Sequence, residues 1–455
     1  MVAHPSAQLN WDLVGEEVIA RLQDLLRLDT RNPPGNETRA AEYLRDVLQQ
    51  EGIDCTSVGP SPDRGTLIAR LKGDGSEPPL LLMSHTDVVA VEPDKWTHAP
   101  FAAEIADGYL YGRGALDMKN MVAMELMTML LLKRSGLPLK RDVIFMAEAD
   151  EEAGGHQGAE WVVTHHPELI EAEYAFNEGG GYGTEINGRR YYTVQTAEKG
   201  SARFRLRARG TPGHGSIPHD DNAILKLSAL LLKLQGTNTP VHFTDTVRGY
   251  ITGIAQAQPP EVAQQFLAVL ADEAGADEAI DQLPVEDAFK QELRAMVRNT
   301  ITPTMLQSGS QINVIPSEAS ALLDARILPH WTPEQFQQEL YAIFGDDAEI
   351  EFLDPSIPLE ADPASPLLQI IKDVLKKHDP QATVIPVLLT GGTDAKHVSR
   401  LGTRVYGFAP ELYISGSEAW GGIHGHDERI HVNALTWGTR VLYDVVTQFV
   451  GATRS

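Results

Sequence analysis

One cysteine, Cys55, occurs in 455 residues. No intrachain disulfide can form and no thiolate metal cluster can be built, so any bound metal must rest on His, Asp and Glu. Basic residues are also scarce: 38 Lys and Arg stand against 63 Asp and Glu, a formal net charge of -25. That balance argues against nucleic acid or an anionic membrane as partner. No apolar stretch approaches the roughly 20 residues of a membrane span. Residues 1–14 lack a basic segment followed by an apolar one, so no secretory signal is expected. A cytoplasmic location is the expectation that these absences leave.

At this length two domains are the default. Helical apolar spacing covers residues 16–28, and Asn36 is placed to cap a second helix ending near Gly52. Apolar runs and helices then alternate. Residues 66–71, 80–83, 143–147 and 174–176 read as strands, and 120–133 and 158–165 as helices. Such alternation predicts an α/β fold, a largely parallel sheet flanked by helices. Past residue 192 the texture changes. Phe204 and Leu206 alternate with Arg203, Arg205, Arg207 and Arg209, the period of a half-exposed strand. A helix at 222–234, strands at 305–314 and 319–327 and a helix at 333–343 make this an α+β insertion. The expected division is a first domain over 1–192 and 354–455, interrupted by a second over 193–353. Residues 259–299 form an acidic helical stretch without a chemical signature.

Short polar motifs follow several of these apolar runs: Ser84-His85-Thr86-Asp87, Asp150-Glu151-Glu152 and Asn177-Glu178-Gly179. In open α/β sheets the carboxyl ends of strands are where ligands bind. Carboxylates and imidazoles placed there are costly unless a cation gathers them. His and carboxylate ligands without thiol suit Zn, Mn or Co. His85 and Asp87, one residue apart, share a side of an extended segment, so Asp87 can orient the His85 ring. Alone, such a pair is more often a surface turn. Asp117 ends the Gly-rich turn Gly112-Arg113-Gly114-Ala115-Leu116-Asp117, where a helix N-cap is the plain alternative. Of Glu151 and Glu152, one can bind metal while the other faces the substrate water as a general base; a solvated acidic loop is the alternative. Glu178 precedes three glycines. His424 shares its segment with His426 and His431.

Jointly and in this order the motifs resemble the co-catalytic di-zinc metallopeptidases, the family of aminoacylase, glutamate carboxypeptidase and succinyl-diaminopimelate desuccinylase. The resemblance spans essentially the whole chain. It implies a zinc-peptidase-like catalytic domain with an inserted lid and dimerisation domain, and a homodimer. It also implies two divalent ions, Zn²⁺ first and Co²⁺ or Mn²⁺ as alternatives, with Asp117 bridging them. His85 and Glu178 would complete one ion's set, and Glu152 and His424 the other's. Glu151 looks like the general base and Asp87 like the residue orienting His85, with a cis peptide bond after Asp117. His214, in Gly213-His214-Gly215, would reach a partner's active site and stabilise an oxyanion. Asn313 and Arg326 match positions that hold the substrate's carbonyl and carboxylate, and Gly392 and Thr393 match a substrate-contacting loop. Glutamate at 178 and the long lid lean towards the aminoacylase-like members. The reaction implied is hydrolysis of an amide bond in an N-acyl amino acid or short peptide with a free C-terminal carboxylate. A dipeptidase or carboxypeptidase shares nearly every residue named. The contrasting class, a catalytically silent metal-stabilised dimeric scaffold, would require a lost ligand or base, and none is lost.

Overall fold

A run of apolar residues can be buried on both faces only if something covers each face. The strand Leu80–His85 illustrates it: every residue is buried. In the computed structural model, which describes residues 9–415 and 422–451, Leu80 and Leu82 enter one apolar cluster while Leu81 and Met83 enter another. The expectation about the N-terminus therefore falls in part on residues 1–8, outside the described residues. The chain divides into two compact units, residues 1–196 with 361–387 and 393–455, and residues 197–360 with 388–392.

The first unit is built on a mixed sheet. Its centre is parallel: Leu80–His85 lies between Val143–Glu148 and Tyr174–Asn177, and Arg404–Gly407 pairs with Tyr174–Asn177. Antiparallel strands Thr66–Leu71 and Cys55–Val58 extend one edge. One face is covered by Trp11–Leu26, Lys119–Ser135 and Val432–Val450. The helix Lys119–Ser135 is buried from Lys119 to Leu132, as befits a helix apolar all round and enclosed by neighbours. It stops at Gly136, whose φ of 58° supplies the left-handed turn that Cβ-bearing residues resist. Parallel register brings the strand ends level. His85 pairs with Glu148, Leu82 with Phe176 and Gly407 with Asn177. The segments carrying Asp87, Glu151 and Glu178 thus leave the sheet along a single edge.

The second unit is α+β. Glu318–Ile327 pairs antiparallel with Phe204–Arg209 and with Thr300–Ser308. Phe204, Leu206 and Ala208 point into a core closed by Ala223–Leu232 and Pro333–Phe344, while the intervening arginines pair with Glu318, Glu349, Glu351 and Asp324. Four helices, Asp245–Ala257, Pro260–Val269, Ala276–Asp281 and Asp287–Met296, fill the stretch before Thr300.

Several boundaries differ from expectation. The first helix begins at Trp11 because Asn10 caps it, accepting from the Asp12 and Leu13 amides. The second is Thr38–Gln50, with Glu37 rather than Asn36 at the cap; Asn36 sits in the turn before it with φ 90°. The expected strand over 305–314 ends at Ser308, where Gly309 turns with φ 61°, and a separate piece, Val314–Ile315, pairs with Gly213–His214. Among the described residues no helix is long and apolar enough to cross a membrane.

Candidate active site

The strand ends of the first unit gather His85, Asp87, Asp117, Glu151, Glu152, Glu178 and His424. His85 Nε2 lies 2.9 Å from Asp117 Oδ1 and 4.0 Å from Glu178 Oε1. His424 Nε2 lies 3.2 Å from Asp117 Oδ2 and 3.2 Å from Glu152. Asp117 therefore faces an imidazole with each of its oxygens. It is not a helix cap; the cap position of Lys119–Ser135 is Met118, and the Asp117–Met118 bond is cis.

The potential ligand atoms of His85, Asp117 and Glu152 all lie within 4.8 Å of one another, and so do those of His85, Glu151 and Glu178. These threesomes cut across the sets implied by the resemblance: one includes Glu151, there the general base, and neither includes His424. His85 donates from Nδ1 to the main-chain carbonyl of Asp87 at 3.0 Å, and the Asp87 carboxylate is further, at 3.5 Å. A carbonyl only accepts, so Nδ1 carries the hydrogen and Nε2 is the atom left for the site.

Asp150, Glu151 and Glu152 turn in different directions. Asp150 takes φ 74°, a left-handed conformation uncommon outside glycine, and points back into the protein. Its carboxylate pairs with Arg64, accepts from Asn32 Nδ2 at 2.9 Å and from the Gln157 amide at 2.9 Å. Glu151 and Glu152 are left facing the cluster. Their main-chain amides donate to Asp87 Oδ1 and Oδ2, each at 3.2 Å. Asn32 Nδ2 also donates to Asp87, at 2.9 Å, and Arg64 is paired with the buried Glu37. Asp87 thus ties the His85 strand end to the Glu151 turn.

The electrostatics are those of crowded, buried acid. Burial, then the charge of Asp117, pushes Glu178 up to about 8. Burial and Glu178 likewise raise Glu151, and burial and Asp394 raise Glu148. Burial opposes charge on His85, but hydrogen bonds to Asp117 and Asp87 outweigh it and raise its pKa. Hydrogen bonds to Asp117 and Glu152 raise His424 to about 10. Both carboxylate oxygens of Glu148 are buried without a hydrogen bond among the described residues. Excess buried negative charge of this kind, set among imidazole nitrogens and carboxylate oxygens with no thiol, fits divalent cations.

The remaining expected residues are placed as follows. Thr393, in the first unit, accepts from Asn177 Nδ2 at 3.1 Å, beside Glu178. His214, Asn313, Arg326 and Gly392 belong to the second unit. His214 is exposed, with Nδ1 2.7 Å from Ser216 Oγ. Asn313 accepts at its carbonyl from the Gly215 amide at 2.8 Å. Arg326 is held by Asp324 through Nε at 2.7 Å and Nη2 at 3.2 Å, and a Cβ on Gly392 would sit 3.9 Å from Nη1.

Sequence reasoning missed Asn32, Arg64 and Glu37. The Asn32-Pro33-Pro34-Gly35 run was the available signal, since Pro-Pro-Gly marks a turn. Glu125 was missed as well: it lies in the helix over the sheet and accepts from Ser84 Oγ at 2.6 Å.

A thiol-free cluster of imidazoles and carboxylates at the edge of an α/β sheet, half-buried and open at His424, fits a metal-dependent hydrolase. The family model described as Peptidase family M20/M25/M40 matches residues 81–448, and the chain belongs to that family. It is similar to aminoacylase-1 of Sus scrofa, 27% identical over 449 residues, 96% of this chain and 95% of that protein. Among solved structures it is similar to an M20 family metallo-carboxypeptidase, Sso-CP2, from Sulfolobus solfataricus. The TM-score is 0.68 at 18% identity, over 94% of this chain and 98% of that one. It is also similar to Bacillus subtilis YXEP, a dinuclear metal binding peptidase from the same family, with TM-score 0.58 and 16% identity over 96% and 99% of the chains. At those identities the structures speak for the fold. Family membership makes the protein a metal-dependent amidohydrolase or peptidase.

Proposed function

We propose that the protein hydrolyses the amide bond of N-acyl amino acids with a free carboxylate. The observation that carries the reading is Asp117, with Oδ1 2.9 Å from His85 and Oδ2 3.2 Å from His424. Two divalent ions, Zn²⁺ before Co²⁺ or Mn²⁺, would share Asp117, one held with it by His85 and Glu178 and the other by Glu152 and His424. When bound, such a pair supplies Lewis acidity to the scissile carbonyl and acidifies a water.

The chain's own residues do the rest. Glu151, half-buried and shifted towards higher pKa, takes a proton from the attacking water and hands it to the leaving nitrogen. Asp87 holds the Glu151 and Glu152 amides on its carboxylate and the His85 ring on its main-chain carbonyl. Arg326, already oriented by Asp324, offers its Nη1 side to the substrate carboxylate. Asn313 binds the carbonyl, Gly392 and Thr393 line the substrate, and His214, reaching across a homodimer, donates to the oxyanion. In this reading the second unit is the lid, and the enzyme works in the cytoplasm.

Likeness to aminoacylase-1 over nearly the whole chain supports acyl amino acids as substrates. The assay is hydrolysis of acetyl-, succinyl- and aminoacyl-amino acids with Zn²⁺, Co²⁺ or Mn²⁺ added. Faster turnover of acyl amino acids is expected. Preference for the aminoacyl series would make it a dipeptidase, and no hydrolysis with any metal would favour a silent scaffold.

A further inference from the structure

Arg113 and Glu428 are a buried ion pair, 2% and 0% exposed, and Arg113 Nη1 donates to Glu428 Oε2 at 2.5 Å. Burying such a pair strips water from both ions at a cost, and apolar residues of similar volume often stabilise a fold as well or better. The pair therefore calls for a reason beyond stability.

Its other hydrogen bonds supply one. Glu428 Oε2 accepts from the Gly114 amide at 3.1 Å, and Oε1 accepts from the amides of Leu116 at 2.7 Å and Asp117 at 3.1 Å. The Glu428 carbonyl accepts from the Gly112 amide at 2.9 Å. A single side chain thereby holds the backbone of the turn that presents Asp117. Gly114 takes φ 89°, and a Cβ there would meet Val88 at 2.8 Å, so the turn follows a narrow path between neighbours. Arg113 reaches the opposite way. Nη2 donates to the carbonyls of His424 at 3.1 Å and Gly425 at 2.9 Å. His424 lies outside regular structure with φ 59°, so no helix or strand ladder fixes its backbone.

We infer that the Arg113–Glu428 pair is a positioning clamp that sets the distance between the Asp117 turn and the His424 loop, and so completes the Asp117–Glu152–His424 side of the centre. The inference rests on the ligand reading above. Arg113 and Glu428 act through the loops they hold.

The two ends of the clamp can be loosened separately. Glu428→Gln replaces one oxygen by an NH₂ group, which must face either the backbone amides or Arg113. Arg113→Lys keeps the charge and loses the fork that spans both the carboxylate and the His424 and Gly425 carbonyls. The full-length protein is stripped of metal and titrated with Co²⁺, following the affinity of each equivalent, the visible absorption bands, kcat and KM apart, and the melting midpoint of the metal-free form. Wild type is expected to take up two equivalents. In Arg113→Lys, which loosens the His424 loop, one equivalent is expected to weaken by about 10–100-fold with its absorption band altered, while the other stays close to wild type; Glu428→Gln, which also loosens the Asp117 turn, is expected to weaken the same equivalent most and the other less. The fall in kcat should exceed any rise in KM.

Two equivalents at wild-type affinity in both variants would overturn the clamp. So would equal weakening of both equivalents in step with a lower melting midpoint of the metal-free form, the mark of a merely structural tie. Should Glu428→Gln fail to fold, Arg113→Lys decides on the same readouts. No Co²⁺ uptake by wild type would overturn the ligand reading and the clamp together, whereas uptake by wild type with unaltered variants overturns the clamp alone.

Discussion

Replacing Asp87 by Asn perturbs the site at the residue that ties its strand ends together. The Asp87 carboxylate accepts from Asn32 Nδ2 at 2.9 Å and Glu152 N at 3.2 Å on Oδ2, and from Glu151 N at 3.2 Å on Oδ1. Asparagine can set its one oxygen on the Oδ2 side and keep two donors satisfied. The Glu151 amide then faces an NH₂ group. A buried donor without an acceptor costs about 1–3 kcal/mol. The surviving bonds lose the charge that roughly doubled their strength, which adds about 1 kcal/mol. Together these give a loss of about 2–4 kcal/mol in the metal-free protein, read from urea unfolding at neutral pH. Because the misplaced amide belongs to Glu151, kcat/KM should fall by about 10–100-fold. An Asn variant with wild-type stability and wild-type kcat/KM would refute the reasoning. Loss of stability with full activity would show that Asp87 braces the fold and does not place Glu151.

Two further perturbations address other parts of the account. Glu125 is fully buried, has one oxygen on Ser84 and the other without a hydrogen bond among the described residues, and burial raises its pKa well above the carboxylate range. A raised pKa means that the folded state holds the proton more tightly than the unfolded one, so stability drains away as pH rises above the ordinary carboxylate value. Glu125→Gln removes that drain, and its stability relative to wild type should improve progressively as pH rises above the ordinary carboxylate value in denaturant titrations; a gap independent of pH would contradict this. Arg326→Lys should raise KM about tenfold or more for carboxylate-bearing substrates with kcat less affected, since the three N–H groups of a lysine share one nitrogen and cannot reproduce a fork held by Asp324 through Nε and Nη2 with Nη1 on the far side; unchanged KM would remove Arg326 from substrate binding.

What was legible in the sequence shared one property: it was local. Residues 80–83 and 143–147 are apolar runs long enough to be strands, and the polar residues just past them had to emerge at the sheet edge. His85, Glu151, Glu152 and Glu178 could thus be placed before any coordinates. Asp117 and His424 needed the family resemblance, because a glycine-rich turn and a loop carry no period. The supports were hidden for a different reason. Asn32 meets Asp150, and Arg113 meets Glu428, across long stretches of chain, and neither end signals that its charge or amide will be buried. The Asp324–Arg326 pair was visible as spacing on a strand, yet its consequence, a guanidinium with one side already taken, depends on rotamers. The strand beyond Thr300 was set too late because Met305 and Leu306 look like core; both are exposed.

The central claim is that Glu151 moves the proton while its neighbours hold the ions. The direct measurement is metal content and turnover of Glu151→Gln side by side with wild type. Two equivalents of metal in both proteins, with turnover of the variant reduced by about 10²- to 10⁴-fold, is the expected result. Near-normal turnover in the variant, or no metal bound by the wild type, would contradict it.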